Sequence, residues 1–202
     1  MKKLLSLFVF PVIIIGLAYL IVNSINQPVK FNKERTEREA AAKEILKDIR
    51  TLQVAYKNVN LKYAPVMDSL IDFYNNGKMT IVKQIGSMDD SLAVAKKLVR
   101  RENIEIPVRD TLFNDRPGFN PETLRHIPFS EGDTVIMQEV VKMVSGVPVP
   151  LFEANMPFTS LLKGMDHQLI VNLVAERNDT GRYPGLQVGS VTNPNNNAGN
   201  WE

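Results

Sequence analysis

The chain has 202 residues, with 24 basic against 22 acidic side chains for a formal charge of +2, and contains no cysteine. Near-neutrality leaves no long-range field to draw in nucleic acid. The missing cysteines exclude disulfides, thiolate metal sites and cysteine nucleophiles together.

The first organised feature is an uncharged run from Leu4 to Val22, preceded by Lys2 and Lys3. At 1.5 Å rise per residue it would measure about 28 Å as a helix, close to the hydrocarbon thickness of a bilayer. A transmembrane anchor is expected, with membrane lipid as the partner of residues 4–22. The rival reading is a cleaved signal peptide, which needs a shorter apolar region and a small-x-small cleavage site. No Ala-x-Ala occurs between Ile21 and Gln27. Pro11 and Gly16 are tolerated in membrane helices, with a mild kink expected near Pro11. The short basic start is expected to stay in the cytoplasm, which makes this a single-pass inner-membrane protein with a periplasmic or extracellular domain.

From Glu34 the composition changes to strong helix formers, and no Gly or Pro follows until Pro65. Glu34/Arg38 and Glu39/Lys43 have the favoured i, i+4 order. The apolar positions Ala42, Ile45, Ile49, Leu52, Tyr56, Val59 and Tyr63 are spaced alternately three and four apart. That is a heptad seam, and these residues are the candidate interface for a partner helix. Leu46, Val54, Ala55 and Leu61 widen the face, which instead favours packing on the chain's own sheet.

The layout resembles a known family at this point. An apolar helix, an irregularity at Gln27-Pro28, a long amphipathic helix, Ile49-Arg-Thr-Leu52-Gln-Val-Ala55-Tyr56 and then Lys62-Tyr63-Ala-Pro65 are similar to the N-terminal part of type IV pilins and type II secretion pseudopilins. The resemblance covers residues 4–65. It implies an exported α+β domain, a helix lying on an antiparallel sheet, self-association or docking to other envelope proteins through the helix, and no enzymatic activity. Two features depart from the family: neither the Gly-Phe processing site nor a Glu at the fifth mature position precedes or enters the Lys3-Leu4-Leu5-Ser6-Leu7-Phe8 run.

Further along, Asp68 to Tyr74 reads as a short helix closed by Asn75-Asn76-Gly77, with Gly77 in the left-handed region. Thr80 to Ile85 and Ile104 to Val108 read as strands. Asp89-Asp90-Ser91 would cap a helix running to Arg101, whose last turns collect Lys96, Lys97, Arg100 and Arg101 as a solvated, dipole-complementing end. Thr134 to Val144 reads as a central strand, Gly146 to Pro150 as a connection, and Leu151 to Asn155 as a shorter strand. Phe158 to Lys163 is one helical turn. Gln168 to Glu176 reads as a strand, joined by an Asn178-Asp-Thr-Gly181 hairpin to Leu186–Val191. Thr192 to Glu202 is an Asn-rich flexible tail in which Trp201 is expected to tuck back onto the domain.

No catalytic constellation is found. His126 and His167 lack a second ligand at metal spacing, and Asp166 beside His167 makes no dyad on a strand. Asp110, Asp115, Glu131 and Asp133 lie in loop sequence without calcium-loop spacing. No cofactor is implied. The expected architecture is α+β, an N-terminal transmembrane helix continuing into a long amphipathic helix packed on an antiparallel sheet of about four to six strands. It divides into an anchor (1–28), a helical stalk (29–63), an α+β domain (64–191) and a tail (192–202). The expected function is a pilin-like or pseudopilin-like, non-enzymatic assembly subunit. The alternative is a membrane-tethered binding module on a coiled-coil stalk, reading a ligand through loops between Asp110 and Gly132.

Overall fold

The computed structural model describes residues 10–85 and 100–202. A single helix, α1 (Phe10–Asn60), runs for 51 residues, about 77 Å at the standard rise. Its N-terminal part is long and apolar enough to cross a membrane. Every side chain described from Phe10 to Lys30 is exposed, and the first buried one is Phe31.

The expected irregularity at Gln27-Pro28 does not occur: α1 continues through Pro28. Proline removes one N–H and leaves the carbonyl four residues earlier without its partner. That carbonyl belongs to Ser24, in the exposed polar stretch Ser24 to Gln27, where solvent can satisfy it. The apolar N-terminal part and the remainder of α1 are therefore one uninterrupted element.

α1 ends beyond Asn60 with Leu61 in the left-handed region (φ 61°), its N–H returning to the Lys57 carbonyl at 2.8 Å. The chain turns through Tyr63 into α2 (Met67–Asn76), which buries Met67, Leu70, Ile71, Phe73 and Tyr74. α2 stops at Gly77, whose φ of −73° is not left-handed. Glycine is needed here for space, since a Cβ would collide with the Phe73 carbonyl oxygen and ring.

Among the described residues the strands form two antiparallel sheets rather than one. β1 (Lys78–Ile85) pairs with β2 (Arg100–Pro107), and the second sheet has the order β3-β4-β5, with β3 (Ile136–Val144), β4 (Val147–Pro157) and β5 (Gly185–Gly189). The helix expected from Ser91 lies outside the described residues except at its end, and there Arg100 and Arg101 open β2 instead. The Gly146 to Pro150 connection is also replaced: β4 begins at Val147, directly after a two-residue turn, and takes Pro148 and Pro150 into the strand.

The largest correction concerns Gln168 to Glu176. This segment is helical, within α4 (His167–Asp179), and follows the short α3 (Phe158–Leu161). The Asp166 side chain accepts the Leu169 N–H at 3.0 Å, a cap that starts the helix. Only Ile170 and Leu173 are buried on α4. β-branched composition suggested a strand, but the 3-residue spacing of that buried pair belongs to one face of a helix. Gly181 (φ 65°) then lies just past the helix end rather than in a hairpin, and the Arg182 N–H bonds back to the Arg177 carbonyl at 2.9 Å. β5 consequently pairs with β4, in the register Ala154↔Val188 and Met156↔Leu186.

One hydrophobic cluster gathers Ala42, Leu46, Ile49 and Leu52 of α1 with α2, with Phe152, Ala154 and Met156 of β4, and with Leu186 and Val188 of β5. Leu46 is fully buried whereas Val54, on the same helix, is exposed. We expect Leu46→Ala to lower unfolding free energy by about 2–5 kcal/mol and Val54→Ala by less than about 0.5 kcal/mol, measured by denaturant titration of the full chain in detergent.

Candidate functional site

The sequence nominates a stripe on α1, and its residues divide by depth. Ala42, Ile49 and Leu52 are buried in the chain's own core; Ile45 and Tyr56 are half-buried and packed against it; Val59 is exposed. Tyr63 is buried but lies past the end of α1. The Tyr56 ring meets Phe73 edge-on at 5.2 Å and Tyr63 packs on Phe152 at 4.7 Å. Six of these seven positions are thus fully or partly covered by the same chain, leaving Val59 as the open one.

Polar ties fix which flank of α1 faces inward. Arg38 donates to the carbonyls of Leu161 and Lys163 (3.3 and 2.9 Å) and to Glu34, while its guanidinium lies 5.0 Å from the Phe129 ring centroid. Asp48 is buried and receives both terminal nitrogens of Arg116, at 2.9 and 2.6 Å. Arg116 stacks on Phe113 and Phe119, and the Asp48 hydrogen bond pushes its pKa above the ordinary arginine value. Gln53, also buried, uses its amide like a backbone unit, accepting the Ala64 N–H at 2.9 Å and donating to the Ala64 carbonyl at 3.0 Å. These charged and amide groups interrupt the apolar stripe in sequence, yet each finds a partner elsewhere in the domain: Arg38 the Leu161 and Lys163 carbonyls, Asp48 Arg116, and Gln53 the Ala64 backbone. Near its apolar part, α1 has one further tie, from the Gln27 amide to the Asp166 carboxylate.

The other sequence candidates do not converge. Among the described residues no group of three or more His, Asp or Glu side chains could hold a metal ion. Asp110 lies beside Arg109, and Glu131 pairs with Lys163 at 3.2 Å. His126 is exposed beside its bridge partner Thr134, and His167 is the exposed first residue of α4. A mostly apolar depression of about 460 Å³ lies over α4 between Met165, Ile170, Val171 and Val174, and its lining contains no Asp or Glu.

The C-terminal segment, expected as a flexible tail, packs back on the domain. Val188 bridges Gly199, and the Asn200 N–H bonds the Gln187 carbonyl at 2.9 Å. Asn197 meets the Tyr63 hydroxyl, and Glu202 forms a 2.7 Å ion pair with Arg50 of α1. Trp201 tucks back, half-buried, against the core. Asparagine richness gave no signal of this, because the order comes from backbone pairing with β5.

Comparison of the chain with family models, with curated proteins and with solved structures gives no match.

The hydrogen bond from Arg50 holds the Glu202 carboxyl below its usual pKa. A depressed acid contributes its tether while ionised and loses it as pH falls through the depressed value. Trp201, the only tryptophan, reports the release. We expect its emission to shift to the red on acidification below the ordinary carboxylate range. In Arg50→Ala, which lacks the tether at every pH, the emission should already be red-shifted at neutral pH and change little on acidification.

Proposed function

We propose that this chain is a non-enzymatic, single-pass membrane protein acting as a pilin-like or pseudopilin-like assembly subunit, with its C-terminal domain exported. The observation that carries the reading is the division of α1. About 30 Å of it, from Phe10 to Lys30, is bare and its apolar side chains are exposed, while the remainder is built into an α+β domain. The uncharged run Leu4 to Val22, whose Phe10 to Val22 part opens this bare section, would measure about 28 Å as a helix and match a bilayer's hydrocarbon core. The helix-on-sheet arrangement of the family is supported by the shared cluster of Ala42, Leu46, Ile49 and Leu52 with Phe152, Ala154 and Val188.

The continuity through Pro28 matters mechanically. A helix without a break transmits position and rotation from the membrane to the domain, as a subunit packed by its anchor requires. The alternative, a tether with a coiled-coil stalk, has less support, since a seam between Ala42 and Tyr56 would have to use side chains already covered by the domain. The short basic Lys2-Lys3 start favours a cytoplasmic N-terminus and an exported domain.

The chain has no cysteine, so single introduced cysteines report contacts cleanly. In native membranes we expect oxidised Leu20→Cys protein to give covalent dimers, because anchors of neighbouring subunits would pack together, and the intact mass to begin at residue 1 or 2. Monomer alone after oxidation would remove self-assembly. A mature start between residues 23 and 28 would remove the anchor itself.

A further inference from the structure

The three-stranded sheet has two outer edges, and they differ chemically. β3 and β4 join through Ser145-Gly146, both at positive φ (53° and 82°), as a type I′ turn requires. Beyond the closing pair Val144↔Val147, the register places Met143 opposite Pro148 and Val141 opposite Pro150. Proline has no N–H, so these are the non-hydrogen-bonded pairs of the ladder, and their backbone groups face outward. β5 reaches only Glu153 to Pro157 of β4. The rest of the β4 edge therefore presents Pro148 and Pro150, which offer a further strand no donors.

The β3 edge has no such block. The same alternation turns the backbone groups of Met137, Glu139, Val141 and Met143 outward, and among the described residues none of these N–H groups has a backbone partner. Val141 and Met143 are 56% and 68% exposed and share one face of the sheet with the opposing prolines. On that same face the Glu139 Oε2 is buried without a hydrogen-bond partner among the described residues. A buried acceptor left unpaired is destabilising, which gives Glu139 a preference for a donor brought from outside.

We propose that the β3 edge is a strand-addition site for an extended peptide segment of another protein, with apolar residues at alternate positions and a Lys or Arg opposite Glu139. Main-chain bonds to the outward groups of β3 supply the attachment, and the side chains on the Val141 face supply the selectivity. Directly opposed residues share a face with Cβ atoms about 5 Å apart, within reach of a lysine or arginine to Glu139. A second copy of β3 cannot provide this. Two-fold antiparallel pairing of identical strands sets odd-numbered residues opposite odd-numbered ones, so Lys142 never falls opposite Glu139. The site makes no use of the membrane-anchored half of α1 and stands independently of the assembly reading.

The test uses the full chain in detergent and a fluorescent peptide of about nine residues, Val-Thr-Val-Thr-Lys-Thr-Val-Thr-Val, matched in length to β3. Anisotropy should show saturable binding, at least about ten-fold weaker when the central Lys is replaced by Glu. N-methylation of the Lys and its two neighbouring Val residues removes the N–H groups that face β3 and should abolish binding, whereas N-methylation of the Thr residues should not. Glu139→Gln should reduce the preference for the Lys peptide to within about two-fold while circular dichroism stays native. Absence of binding, equal affinity for the Lys and Glu peptides, or equal loss from the two N-methylation patterns would each overturn the proposal.

Discussion

Everything in this chain depends on α1 meeting two demands with one uninterrupted run of backbone hydrogen bonds. Up to Lys30 no described side chain of α1 is covered, and from Phe31 onward one flank has to be dry. A helix satisfies its own backbone in either setting, so the change of environment needs no change of conformation. Pro28 is the one place where that self-sufficiency lapses, and it lapses at an exposed polar stretch. What the domain adds is rotational definition. Asp48 to Arg116, Gln53 to Ala64 and Arg38 to the Leu161 and Lys163 carbonyls each fix a different level of α1. Those ties join α1 to the rest of the domain along one flank.

Asp48 and Gln53, two of the buried polar groups, each find a specific partner. Arg116 brings a charge to the buried Asp48 carboxylate while its planar face rests on two phenylalanine rings and its other side stays open to solvent. Gln53 replaces a backbone unit just where the chain leaves the helix and has not yet entered α2. The turn at Tyr63-Ala64-Pro65 is thereby held against α1 by side-chain chemistry instead of by a longer helix. The C-terminal segment closes the other side, through its pairing with β5 and the Arg50 to Glu202 contact.

The sheet shows where stability and recognition part company. β4 gives one side to β5 over part of its length and seals the remainder with Pro148 and Pro150, while β3 keeps its outer donors and acceptors and exposes Val141 and Met143. An edge strand of this kind invites pairing unless something blunts it. One edge is blunted and the other is not, so the open edge is a chemical feature of the fold and not a general property of the sheet.

The sequence by itself determined the elements whose signal is local. The uncharged apolar run, the helix-forming stretch after Glu34, α2 and the existence of β3 were legible, since each depends on periodicity or propensity within one segment; the central place expected for β3 was not, since it lies at the sheet edge. The breadth of the buried face of α1 was legible in part: Leu46 and Ala55 are buried beside the heptad positions, whereas Val54 and Leu61, expected to widen it, are exposed. Tertiary structure decided what depends on neighbours. Residues 168–176 became a helix because Asp166 caps it and only Ile170 and Leu173 find a core to enter. Gly146 to Pro150 became half of a hairpin because the prolines could sit in the non-bonded pairs facing away from β3. The Asn-rich tail became ordered because β5 and Arg50 offered partners that no composition can announce. The pairing state of Glu139 and of the β3 edge belongs to the same class: which hydrogen bonds remain open is known only once the fold has assigned all the others.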